Sequence, residues 1–323
     1  MSQHSIKALL YFPTTVLFID DDPVFLSLTS LQIHNRIPVV LSDKPKQALE
    51  LLLNCTHIND LIQKTVRDLQ DNECSPEGDI YNLYKIIYNE LRFSFISTVI
   101  VDYSMPNLNG AELCEQIAHL PITKIMLTAE ADHQKAVQLF NNKHIDYFII
   151  KDSQDMNTDL NKVIQKAQLT YFEQASSLLF NELCKRSEYF KQNHGNKIAD
   201  LISDGGFSEY YLLDNSGSML LLDFNSKPSW LVIKSDQEIE SYFDIAINQD
   251  TPETVLRLLK DKALPFFFNP ADYKIPAAGW EPYLHQGNEL PGSKDFRYAL
   301  IKNSSLYQLD NCRIVSHKNY LQK

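Results

Sequence analysis

Long apolar runs are missing from this sequence: none approaches the ~18 consecutive residues a membrane-spanning helix needs, so no membrane insertion is expected. Cysteine is scarce. Cys55, Cys74, Cys114, Cys184 and Cys312 are scattered, odd in number and without a CxxC pair, which argues against a disulfide framework and for reduced thiols in the cytoplasm. Positive charge is in deficit too. Thirty Lys and Arg against 41 Asp and Glu give a net charge of −11 and a pI of about 5.3. That balance opposes nonspecific attraction to DNA, RNA or anionic lipid and favours protein or small-molecule partners. The opening stretch, MSQHSIKALLYFPTTVLFIDDDP, lacks the basic start and small-residue cleavage site of a signal peptide. A soluble, cytoplasmic protein is expected.

What is present is enough for two cores: 323 residues, 44% of them apolar, exceed the usual size of one domain. VLFID (16–20) is a compact apolar run that stops at acids, as a buried parallel strand does at its carboxyl end. Pro23 opens a helical pattern through Val24, Phe25, Leu28 and Leu31, with Asp22 as a candidate N-cap. PVVLS, STVIVD, KIMLT and YFII read as further strands, with helices at PKQALELLL, AELCEQIAHL and DHQKAVQLF. Strand and helix alternate five times. The expected fold is α/β: a doubly wound, five-stranded parallel sheet with helices on both faces.

Asp21 and Asp102 lie 81 positions apart, whereas two crossovers need only about 50 to 60. The surplus falls at about 54–94. Ile58, Leu61, Ile62, Val66 and Leu69 share one helical face, as do Ile80, Leu83, Tyr84, Ile87 and Leu91, with CSPEGD as a turn between them. Either a helical hairpin is inserted there or the second helix is longer and followed by a loop. From Met156 to Ile202 the pattern stays mostly helical and free of proline. Its first part closes the sheet domain; the remainder either packs on its own chain or pairs between subunits. The division expected is 1–170 for the first domain with its insertion, 171–204 for a connecting helical region, and 205–323 for a second domain. In that last part YYLLD and MLLLDF flank NSGS as a hairpin, WLVIK is a strand, QEIESYFDIAIN and PETVLRLLKDKAL are helices, and FRYALI, LYQLD and CRIVS read as short strands. An α+β domain with a mostly antiparallel sheet is expected.

In parallel sheets, chemistry gathers beyond the carboxyl ends of the strands. Those ends carry Asp20, Asp21, Asp102, Thr128 and Lys151. Each alone has an ordinary reading, as a helix cap, a turn, a strand end or a surface lysine. Together, in order on one sheet, they point to metal-assisted phosphoryl chemistry. Close carboxylates repel unless a hard divalent cation such as Mg²⁺ sits among them. An aspartate attacking a phosphoryl group needs the metal, a cation and hydrogen-bond donors around the transferring oxygens. Asp102 can be the nucleophile, Lys151 the cation and Thr128 the hydroxyl.

VIVDYSMPNLNG resembles the phosphoacceptor segment of CheY-like receiver domains of two-component response regulators. VLFIDD is similar to their first strand and acidic pair, MLTA to their fourth strand, and FIIK to their fifth. The resemblance covers residues 15 to 170 approximately. It implies that Asp102 accepts a phosphoryl group from a sensor histidine kinase or phosphotransfer protein. It further implies that Asp20, Asp21, Asp102 and the backbone carbonyl of Ser104 hold Mg²⁺, and that Lys151 pairs with the phosphoryl oxygens. Thr128 and Phe148 would form the switch, moving toward the phosphoryl group and turning inward respectively; dimer or partner affinity would change with them. Three departures stand out. The acidic run has a third member, Asp22, which could take the place of an assigned carboxylate. Asp152 replaces the family's usual proline after the lysine. The Asp102–Thr128 interval is short, which suggests a trimmed third or fourth helix.

The second half carries 20 acids and 16 bases from Tyr171 onward. It shows no helix-turn-helix signature, no basic recognition helix, and no GGDEF-type, HD-type or Walker motif. His285 with Glu281 and Glu289 could suggest a metal or simply a polar loop. Phe266, Phe267, Phe268, Tyr273, Trp280 and Tyr283 could line a pocket or plug a core. The hairpin is similar to the opening of PAS-like sensor domains, and the whole layout resembles Lqs-type quorum-sensing response regulators. Three outputs stay open: protein or small-ligand binding, an enzymatic domain without a familiar motif, and DNA binding through a concealed basic face.

Overall fold

The structure, a computed structural model, describes residues 7–55, 83–129, 133–191, 195–269, 271–302, 304–307 and 309–322. They divide into two units. One takes in residues 12–55 and 91–175; the other takes in residues 7–11, 83–90 and 176–322.

The first unit is the expected α/β domain. Strands β2 (Thr15–Ile19), β3 (Val39–Ser42), β4 (Ile96–Asp102), β5 (Thr123–Thr128) and β6 (Tyr147–Ile150) form one sheet in the order β3-β2-β4-β5-β6, with every pair parallel. This is the doubly wound order whose switch point lies between the first and third strands of the sheet. All seven residues of β4 and all six of β5 are buried. With helices on both faces these strands are shielded from water, so their centres, residues 99–101 and 125–127, read as unbroken apolar runs rather than alternating ones. Strands are joined by α1 (Pro23–Ser30), α2 (Pro45–Asn54), α3 (Gly110–Gln116) and α4 (His133–Asn141). The short α3 accounts for the short Asp102–Thr128 interval. Asp22 caps α1, accepting from the N–H groups of Val24 and Phe25, and Pro23 occupies the first turn where its missing N–H costs nothing. The core gathers Val16, Phe18, Ile100, Ile125 and Leu127 from the sheet with Leu26 of α1. Met156, Leu160 and Ile164 close it from the first turns of α5 (Met156–Arg186).

The hairpin expected at 54–94 lies, for residues 56–82, outside the described residues. After them, residues 83–87 are helical, and Leu83, Ile86 and Ile87 are buried. This segment packs within the second unit: Tyr88 Oη accepts from the Asp310 N–H at 3.2 Å and its ring lies 4.4 Å from the Arg313 guanidinium.

The second unit is α+β. Beyond α5 lie the single turn α6 (Glu188–Lys191) and α7 (Gly195–Asp204). β7 (Phe207–Leu212), β8 (Met219–Asp223) and β9 (Pro228–Ser235) make a meander, extended by β13 (Phe296–Lys302) and β12 (Asn288–Glu289). The full order is β1-β7-β8-β9-β13-β12, and each pairing is antiparallel. β1 is Leu10–Tyr11, paired with Tyr211 and Tyr210; two residues leave no periodicity for a sequence reading to detect. β10 (Leu264–Pro265) and β11 (Leu284–His285) form a separate pair. Asp236–Ile247 (α8) opens with a reciprocal capping box of Ser235 and Glu238, and Glu253–Lys260 (α9) packs beside it.

One expectation is corrected here. LYQLD and CRIVS are not strands: in the described residues the chain is irregular there, with a 3₁₀ turn at Asn311–Arg313. Tyr307, Leu309 and Ile314 are buried singly from this loop, so the alternation reflects plugs into the core, and β13 already has β9 and β12 on its two sides. Of the two readings of the aromatic cluster the core one holds, because Phe267 and Trp280 are buried with Val255 and Leu259 and flanked by Tyr242 and Tyr283, although Tyr273 is exposed.

Ile100, fully buried in the central strand of the parallel sheet, sets the expected cost of a cavity in the first unit. Ile100→Ala is expected to lower unfolding free energy by roughly 2–5 kcal/mol, read as a lower urea midpoint at unchanged slope.

Candidate functional site

The parallel sheet ends its strands side by side, so residues far apart in sequence meet above it. Asp20 follows β2, Asp102 ends β4, and Lys151 follows β6. Lys151 Nζ lies 2.6 Å from Asp20 Oδ2 and 2.8 Å from Asp102 Oδ1. Asp20 and Asp102 are only 1% and 5% exposed, whereas Asp21 points to solvent. One carboxylate oxygen from each of the three aspartates falls within 4.8 Å of the others. Among the described residues, this is the group whose metal-type ligand atoms converge. His285 instead pairs with Tyr307 Oη at 2.7 Å, and no such group joins it to Glu281 and Glu289.

The backbone around the trio is built to hold it. Asp20 Oδ1 accepts from the Asp22 N–H at 2.9 Å, and Asp102 Oδ2 from the Ser104 N–H at 3.0 Å. After Asp102 the chain doubles back, and the Gly110 N–H donates to the Tyr103 carbonyl at 3.0 Å. A Cβ at Gly110 would stand 2.2 Å from the Asp102 carbonyl oxygen, so the trailing glycine of the motif is a steric requirement. The Lys151 N–H donates to the Thr128 carbonyl at 2.9 Å, which ties the lysine to the end of β5. The peptide after Lys151 is trans.

The other expected residues are placed as follows. Thr128 is buried at the end of β5 with its hydroxyl donating to the Ala129 carbonyl at 3.1 Å. Phe148 is half-buried on β6, edge-on to Phe140 at 6.2 Å. Asp22, the third acid, is not among the converging carboxylates, since its side chain caps α1. Two features escaped sequence reading. The Phe25 ring lies 4.3 Å from Lys151 Nζ, and the Ser104 N–H fixes the Asp102 carboxylate. The first was signalled only by an aromatic three residues into a capped helix, the second by nothing at all.

Three carboxylates face one ammonium, so the site carries an excess of negative charge. Burial pushes the Asp20 carboxyl above its ordinary value, and hydrogen bonds from Lys151 and the Asp22 N–H oppose this only in part. Burial alone would lower the Lys151 pKa, but its hydrogen bonds to Asp102 and Asp20 outweigh that and raise it. The lysine is therefore held charged. The donor set is all hard oxygen and lacks one cation for balance, which fits a divalent ion of the Mg²⁺ class.

Residues 61–165 match the response regulator receiver domain family. In structure, the chain is similar to the Legionella pneumophila response regulator LqsR, at 28% identity and a TM-score of 0.78, over 99% of this chain and 97% of that one. It also aligns with a CheY-like receiver domain protein from Methanospirillum hungatei JF-1 (19% identity, TM-score 0.34, 50% of this chain and 98% of that one). A further match is an adenylate cyclase from Rhodopirellula baltica (18% identity, TM-score 0.36, 54% and 99%). No curated protein matches the chain.

Because the folded state holds the Asp20 proton more tightly than the unfolded chain, its contribution is complete at low pH. It is lost as pH rises from about the ordinary 3.8 through the folded value. Wild type is therefore expected to lose stability relative to Asp20→Asn across that acidic window, in paired urea titrations without divalent ions; a pH-independent difference would show that Asp20 ionises unperturbed.

Proposed function

We propose that this chain, which carries a response regulator receiver domain, accepts a phosphoryl group on Asp102 from a sensor histidine kinase or phosphotransfer protein and relays that state to its output half. The single observation behind this reading is Lys151 Nζ bridging two buried aspartates, one at the end of the central strand, with a third carboxylate beside them. An Asp102 oxygen attacks phosphorus while the donor's phosphorus–nitrogen bond breaks, its electron pair leaving on the imidazole nitrogen, which recovers a proton. Lys151 neutralises one transferring oxygen, and the Ser104 N–H keeps the carboxylate oriented. Asp20, Asp21, Asp102 and the Ser104 carbonyl would hold Mg²⁺, which when bound supplies charge neutralisation to the carboxylates and phosphoryl oxygens. Thr128 would turn its hydroxyl from Ala129 to the phosphoryl group, and Phe148 would move inward from Phe140.

The receiver half (1–170) would act through the helical region 171–204 on the output half (205–323). The acidic balance of that half supports an output that binds protein or a small ligand rather than DNA, with phosphorylation-dependent homodimerisation as the simplest coupling. Similarity to LqsR along nearly the whole chain supports a role in cell–cell signalling of the quorum-sensing kind. No helix among the described residues is long and apolar enough to cross a membrane, and the four described cysteines are free thiols; both accord with work in the cytoplasm. In the output half, buried Lys234 pairs with Asp214 at 3.0 Å, and Tyr307 donates to the Phe266 carbonyl at 2.8 Å.

Incubation with a small phosphodonor and Mg²⁺ is expected to give one phosphoryl adduct by intact mass and a shifted band by Phos-tag mobility. Asp102→Asn is expected to give neither, and a chelator should abolish both in wild type. An adduct persisting in Asp102→Asn would overturn the assignment. Light scattering with and without a phosphoryl mimic checks the dimer: equal mass in both states removes dimerisation from the proposal.

A further inference from the structure

The third aspartate and the aromatic after it have no role in the scheme above, yet both touch its central lysine or the carboxylate that holds it. Asp22 does three things at once. Its N–H donates to Asp20 Oδ1 at 2.9 Å, and its carboxylate accepts from the N–H groups of Val24 at 2.9 Å and Phe25 at 3.1 Å. The cap thus fixes where α1 starts relative to Asp20, and with it the Cα of Phe25. From behind, the Phe25 ring is set by Phe18, a fully buried residue of β2 whose ring stands edge-on to it at 6.2 Å and 83°. Its face is turned to Lys151 Nζ at 4.3 Å, well inside the range of cation–π attraction.

We propose that Asp22 and Phe25 form a clamp on Lys151, with Phe25 a positioning residue that keeps the ammonium over the phosphoacceptor during phosphoryl transfer. The inference rests on the reading of Asp102 as phosphoacceptor. Its logic lies in what a ring offers and a carboxylate does not. Lys151 sits on a flexible four-carbon stem, and in the resting site two carboxylates hold it. When Asp102 becomes the acyl phosphate, that carboxylate loses its charge, and the ammonium has to follow the new charge onto a phosphoryl oxygen. A further carboxylate would compete for it and repel the incoming phosphoryl group. A π face attracts without a fixed bond direction and brings no net charge, so the ammonium slides across it while staying in place.

Two readouts on the full chain test this. First, the rate of adduct formation from a small phosphodonor with Mg²⁺ is compared for wild type, Phe25→Leu and Phe25→Tyr. Phe25→Leu, similar in bulk but without a π face, is expected to slow it by roughly three- to tenfold, and Phe25→Tyr to restore it; Phe25→Met replaces the leucine variant if that does not fold. Second, the Lys151 ε-methylene resonance, assigned by its loss in Lys151→Arg, is expected to be shifted upfield by the ring in wild type and Phe25→Tyr but not in Phe25→Leu. Equal rates in Phe25→Leu and wild type overturn the positioning role even if the resonance moves, and so does a tyrosine variant as slow as the leucine one. An unshifted resonance in wild type overturns the clamp itself. If wild type forms no adduct while the resonance shift is present, the phosphoacceptor reading fails and the contact is a structural one only.

Discussion

One ammonium between two carboxylates that water hardly reaches governs the end of the parallel sheet. Burial, and to a lesser degree the neighbouring Asp102, raise the Asp20 pKa, so at such low exposure the charged form of Asp20 depends on a cationic partner. Lys151 makes the pair tolerable, and its position depends on nearly everything around it: the end of β5 through Thr128, the N-cap of α1 through Asp22 and Phe25, and the turn after β4 through Ser104 and Gly110. The balance is deliberately incomplete. Three carboxylates against one lysine leave the site with an excess of negative charge.

The parallel sheet makes this possible because it aims all its strand ends one way. β2, β4 and β6 contribute an acid, an acid and a base from positions up to 131 residues apart, as for Asp20 and Lys151. Their central strands are buried throughout, so the backbone that carries the charges is anchored in a core of Val16, Phe18, Ile100, Ile125 and Leu127. A rigid platform of this kind holds the carboxylate at the end of its central strand in a defined place.

Much of this unit was legible in the sequence because burial on both faces writes itself as apolar runs, and because acids, a threonine and a lysine that each have an ordinary explanation gain meaning when all sit at the ends of such runs. All five strands and the acid, threonine and lysine positions followed from that pattern. Asp22 was legible as a cap from the Pro23 that follows it, while its alternative as a ligand is removed by the geometry of α1, whose N–H groups take its carboxylate. The contact of Phe25 with Lys151 is invisible to periodicity, which places the ring on a helix face without saying what crosses it. In the second unit the long meander strands were readable, but LYQLD and CRIVS misled: alternating burial arises in an extended loop that plugs Tyr307, Leu309 and Ile314 into a core just as it does in a strand. β1 is too short to carry any pattern.

That small strand has a consequence for how the chain comes off the ribosome. Leu10 finds its partner at Tyr211, some two hundred residues later, while the parallel-sheet unit draws on residues 12–55 and 91–175. During synthesis, where domains fold as they emerge, the parallel-sheet core can close while Leu10 and Tyr11 are still waiting for a sheet that has not yet been made. Leu10–Tyr11 is therefore made long before Phe207–Leu212, the strand it pairs with, and until that strand exists it adjoins a unit that can already fold.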